Sequence, residues 1–180
     1  SLKAGETTLA EARLPLVQGT KTRVNKGGGE AVGLNGKVKV KFPKDALPKD
    51  VDITIAPATG VNAPFYGVIG EPFELLAESA EDQTSIHIFE KEVEIELQYD
   101  PEAIGVDPSQ LTLYYYYETD NLWIPLPSEV DPDTNTLSAY TTHFSLFAVG
   151  DTPWDRKVLP LGCCSSCRFY RFRNLFILHR

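Results

Sequence analysis

Apolar and polar residues alternate with a period of two through much of the chain. In Lys37-Val38-Lys39-Val40-Lys41-Phe42, one side carries Val38, Val40 and Phe42 and the other carries lysines. That is the pattern of a half-buried strand. Pro43 stops it, and residues 44–49 read as a turn. Val51, Ile53 and Ile55 make a second strand, closed by Pro57. Residues 72–76 and 84–88 predict shorter strands. Val93, Ile95, Leu97 and Tyr99 alternate with Glu92, Glu94, Glu96 and Gln98, the cleanest strand in the chain. Residues 111–118 follow, with Leu111, Leu113, Tyr115 and Tyr117 on one face. Residues 122–126 return after a turn, and 136–149 form a long strand that bends near its middle. Roughly eight or nine strands between short turns, with no helical period, predict an all-β fold, an antiparallel β-sandwich. Residues 1–27 lack this pattern and form an irregular N-terminal segment. Within it, residues 7–16 read as a short helix or edge segment. Gly27-Gly28-Gly29 reads as a flexible joint. The sandwich is expected over residues 28–150 and a tail over 151–180.

Composition sharpens that division. The 180 residues suit one domain with a tail, and 42% hydrophobic content is enough for a core. The net charge of −8 is uneven. Residues 1–150 hold 11 basic and 23 acidic side chains, whereas residues 151–180 hold 6 basic and 2 acidic ones. An acidic sandwich argues against nucleic acid as a partner. Cys163, Cys164 and Cys167 all lie in the tail, so the sandwich has no disulfide or thiolate metal site of its own. The tail reads as a poorly ordered end. The alternative is a lipidated cluster beside Arg168, Arg171 and Arg173, which would make the tail the only membrane contact. The apolar run at 174–178 is too short to span a bilayer. The lack of methionine suggests one part of a longer protein.

The usual enzyme constellations are missing. His87, His143 and His179 have no partners at metal-ligand spacing, so no metal is expected. Gly27–Gly29 lacks the lysine and context of a phosphate loop, and no cofactor is expected. Glu90, Glu92, Glu94 and Glu96 read as a solvated outer face rather than a glycosidase pair. The Asp-rich stretches 100–107 and 131–133 read as turns rather than calcium loops. Tyr114 and Tyr116 alternate outward and are the candidates for a sugar- or peptide-binding platform.

The sharpest signal is His143-Phe144-Ser145. In an extended chain, residues two apart face the same way, so His143 and Ser145 flank the Phe144–Ser145 peptide bond from one side. A serine hydroxyl becomes nucleophilic when a base takes its proton, and imidazole suits that near neutral pH. Attack on the Phe144 carbonyl would give an ester that water cleaves. The competing reading is a buried strand in which Phe144 and Leu146 fill the core.

Three segments carry a resemblance. They are Gly36-Lys37-Val38-Lys39-Val40-Lys41-Phe42-Pro43-Lys44-Asp45-Ala46-Leu47-Pro48, then Val51-Asp52-Ile53-Thr54-Ile55-Ala56-Pro57, then Phe89-Glu90-Lys91-Glu92-Val93-Glu94-Ile95. Their order resembles a ZU-type domain, the β-sandwich of ankyrins and netrin receptors. Residues 111–149, with a Trp near a turn and the His-Phe-Ser ending, are similar to the module called FIIND. Similar endings occur in bacterial surface proteins. The resemblance implies self-cleavage between Phe144 and Ser145, with His143 as general base, Phe144 supplying the scissile carbonyl and Ser145 as nucleophile. It further implies a non-turnover interaction module with a protein partner, in a surface or scaffold protein at or outside the cell surface. The remaining alternatives are a glycan- or peptide-binding sandwich and a passive spacer.

Overall fold

A computed structural model of the chain describes residues 19–59, 61 and 68–151. The cysteine-bearing tail and the segment at 7–16 lie outside the described residues. Among the described residues eleven strands follow one another: β1 (Thr20–Val24), β2 (Gly29–Gly33), β3 (Val38–Phe42), β4 (Val51–Pro57), β5 (Val68–Ser79), β6 (Ile88–Gln98), β7 (Thr112–Tyr117), β8 (Leu122–Pro125), β9 (Ser128–Asp131), β10 (Thr136–His143) and β11 (Leu146–Gly150). They build two antiparallel sheets, one of six strands in the order β1-β4-β5-β11-β7-β8 and one of five in the order β2-β3-β6-β10-β9. The fold is the all-β sandwich expected from the alternation.

The core lies between the sheets. Val38, Val40, Phe42, Val93 and Ile95 from the five-stranded sheet are buried with Ile53, Ile55, Leu75 and Phe147 from the six-stranded one. Phe73 and Phe147 stack across neighbouring strands with ring centres 5.6 Å apart. On the outer side of β3 and β6 the lysines meet the glutamates: Lys39 pairs with Glu96, and Lys41 with Glu94 and Glu96. Glu94 and Glu96, two of the four carboxylates on that face, therefore form one side of a cross-strand charge ladder.

Three local expectations change. The first strand, Thr20–Val24, precedes residue 28, where the sandwich was expected to begin. It is an edge strand whose only buried side chain is Val24, so no alternation marks it. The triple glycine is a tight turn rather than a free joint. Gly28 N–H donates to the Asn25 carbonyl at 3.0 Å, and a Cβ on Gly28 would lie 2.5 Å from the Phe42 carbonyl oxygen. Residues 136–149 are two strands in different sheets. Only Phe144 and Ser145 separate β10, in the five-stranded sheet, from β11, in the six-stranded one.

Candidate functional site: the crossover at His143-Phe144-Ser145

The crossover forms because the sequence switches its apolar faces there. Along β10, Leu137, Ala139 and Thr141 point inward and Tyr140 and Thr142 outward. The pairing of β10 with β6 then breaks register, passing from Thr141 opposite Val93 to His143 opposite Ile88. An irregularity of this kind bends a strand and re-aims its side chains. Phe144 turns inward, buried at 8% exposure, with its ring edge-on to Phe89 at 4.7 Å and to Phe42 at 6.1 Å. These three rings anchor the crossover. The chain then enters β11, the strand between β5 and β7.

Ser145 ties that entry to both neighbours. Its hydroxyl donates to the Tyr116 carbonyl at 2.5 Å, and its own carbonyl accepts from Leu75 N–H at 3.1 Å.

His143 is half-buried and held by Thr141. Thr141 Oγ1 lies 3.2 Å from Nδ1, donates to the His143 carbonyl at 3.0 Å and accepts from His143 N–H at 3.2 Å. With its one hydrogen given to the carbonyl, the hydroxyl can only accept from Nδ1–H. The arrangement that satisfies every group thus puts the proton on Nδ1 and leaves the lone pair on Nε2. The Tyr115 ring meets the imidazole at 79° with centres 4.6 Å apart. Burial holds the imidazole below its ordinary value of 6.5, so the neutral, proton-accepting form prevails near neutral pH.

The tripeptide therefore holds a neutral imidazole and a serine hydroxyl on either side of a buried phenylalanine. Among the described residues no hydrogen bond joins His143 to Ser145. Transfer of the serine proton to Nε2 requires the hydroxyl to turn away from the Tyr116 carbonyl. Thr141 was not singled out from the sequence, although its inward place in β10 was readable there. The Tyr116 carbonyl and the Leu75 N–H could not be found that way, because both come from strands distant in sequence.

The second candidate group lies on the outer face of the six-stranded sheet. Alternation correctly sends Tyr114 away from Leu113 and the core, yet Tyr114 is only 5% exposed, packed with Ala148 and Trp123. Tyr116 is half-buried, with its hydroxyl donating to Asn121 Oδ1 at 2.8 Å and its ring 5.3 Å from Trp123. The pair is thus a covered cluster beside a partly open ring rather than two free faces. Among the described residues, no group of three or more His, Cys, Asp or Glu side chains is placed to hold a metal ion. No helix among them is long and apolar enough to cross a membrane. Compared with known proteins, the chain matches no family model and no curated protein.

Proposed function

We propose that the chain is a non-turnover β-sandwich module of a larger surface or scaffold protein, and that it cuts its own backbone once, between Phe144 and Ser145. His143 Nε2 takes the Ser145 hydroxyl proton while Oγ attacks the Phe144 carbonyl carbon. The Phe144–Ser145 C–N bond breaks, and the proton passes from the imidazole to the departing Ser145 nitrogen. An ester now joins the Phe144 carbonyl to Ser145 Oγ. Water hydrolyses it, leaving a Phe144 carboxylate and a free Ser145 hydroxyl.

The observation that carries this reading is the position of the bond. It is a two-residue crossover beside a neutral imidazole, and it opens into a strand paired on both sides. A cut there leaves β11 seated by its ladders to β5 and β7 and by the buried Phe147. The resemblance of the segment order to ZU-type domains and of the ending to FIIND points the same way. The wild-type chain, incubated without protease at neutral pH, should give two masses corresponding to residues 1–144 and 145–180. The two pieces should co-elute until denatured. A single intact mass after prolonged incubation would sink the reading.

A further inference from the structure

Two consecutive residues of β7 touch both polar groups of the crossover. The Tyr116 carbonyl accepts from the Ser145 hydroxyl, and the Tyr115 ring meets the His143 imidazole edge to face. The second contact spans the sandwich: Tyr115 belongs to the six-stranded sheet, and His143 ends a strand of the five-stranded one. Tyr115 shares the inward side of β7 with Leu113 and packs against the core, opposite Phe147 of β11. The hydrogen bond to Thr141 holds one nitrogen of the imidazole but leaves the ring able to swing about that contact. A second contact on the ring removes that freedom. Centres 4.6 Å apart and planes at 79° are an arrangement that aromatic pairs prefer. The same ring covers part of the imidazole, and burial is what holds His143 below its ordinary 6.5. The titratable side chains on the strands around it are Tyr115 and Tyr117 on β7, with His87 and Glu90 near Ile88, its partner on β6; none of them shifts it. Burial holds the Tyr115 phenol above its ordinary 10, so this neighbour stays uncharged while the imidazole titrates.

We infer that Tyr115 is a positioning residue for the cut: its ring keeps the His143 imidazole in one orientation, shielded from water, for Nε2 to take the Ser145 proton. The inference rests on the self-cleavage reading and adds a residue to it. Holding a base in one geometry raises the rate by sparing it the search for that geometry. The role requires the aromatic ring and not the phenol hydroxyl.

The test has two arms. In the full-length Ser145→Ala chain, NMR of the His143 ring nitrogens across pH reads tautomer and titration midpoint without any cutting. The hydrogen is expected on Nδ1 and the midpoint below 6.5, and adding Tyr115→Phe should change neither. Adding Tyr115→Leu should move the midpoint up toward 6.5 and replace the single tautomer by a mixture. In chains that keep Ser145, Tyr115→Leu should cut about two- to tenfold more slowly at pH 8, the worth of one edge-to-face contact, with a larger deficit at pH 6. Tyr115→Phe should cut at the wild-type rate. If Tyr115→Leu fails to fold, Tyr115→Ile, β-branched and suited to a strand, takes its place. An unchanged midpoint and tautomer in the folded Leu or Ile variant, or cutting as fast as wild type, would overturn the inference while self-cleavage stands. A wild-type chain that never cuts overturns the reading beneath it and the positioning role with it, and that failure shows in the wild type alone.

Discussion

The Ser145 hydroxyl donates to the Tyr116 carbonyl across 2.5 Å, so the serine that begins β11 is fastened to β7, the strand beside it. The bond has a structural value that does not depend on chemistry. Ser145→Ala should lower stability by about 1 kcal/mol, read from the urea midpoint. It should also leave the chain as a single mass. Ser145→Cys keeps a nucleophile at the same place and should still yield two pieces. A cut Ser145→Ala chain would show that this hydroxyl is not the attacking group.

Thr141 carries three polar contacts with one hydroxyl, all to His143. Thr141→Val keeps the shape and removes the oxygen, leaving the ring N–H and the backbone groups of His143 without that partner. The expected loss is about 1–3 kcal/mol in a denaturant melt, mostly restored by Thr141→Ser. Cutting should slow in Thr141→Val, because the imidazole is then free to adopt the other tautomer.

The buried imidazole sets a pH window. Its folded-state value lies below the ordinary 6.5, so in acid the unfolded chain takes up a proton more readily than the folded one. The contribution is complete above about 6.5 and declines as pH falls from there. Urea midpoints should drop from pH 8 to pH 5, and His143→Gln should flatten the part of that slope just below 6.5. The depressed carboxylates act lower. Glu96 is held down chiefly by its hydrogen bond with Lys41, and Asp52 by its hydrogen bond with Arg23. Their contributions are present above the ordinary carboxylate range and fade as pH falls below it. The rate of cutting should rise with pH and level off once the imidazole is neutral, with its midpoint below 6.5.

Gly33 lies close against Ile55 of the opposite sheet. A Cβ there would lie 2.6 Å from the Ile55 Cβ across the core, at the end of β2. Ile55 is fully buried and has no room to retreat. Gly33→Ala should therefore cost about 1–3 kcal/mol, by the overpacking argument. Val32→Ala, one residue earlier and on the exposed side at 40%, should change the urea midpoint far less.

The legible parts of the fold were those where burial alternates. Val38, Val40 and Phe42 in β3 and Val93, Ile95 and Leu97 in β6 announce their faces directly. β1 stayed hidden because an edge strand with one buried residue has no pattern, and its place is fixed by pairing with β4 and by the Arg23–Asp52 contact at 2.8 Å. The crossover was half legible. The bend in residues 136–149 could be read, but the change of sheet depends on where β5 and β7 lie, and no local pattern carries that. The same limit applies to Tyr114. Alternation gave its direction, while its burial depends on Trp123 arriving from β8.

The place of β11 in the sheet order has a consequence for anything that removes it. Its neighbours β5 and β7 both precede Phe144 in the chain, so both stay with the longer piece after a cut. Pulling β11 out does not trim an edge; it bisects the sheet into β1-β4-β5 and β7-β8. Two raw rows of backbone donors and acceptors would face each other about 10 Å apart, twice the ordinary strand spacing. That slot is one strand wide. Such edges are templates for whatever extended chain comes next.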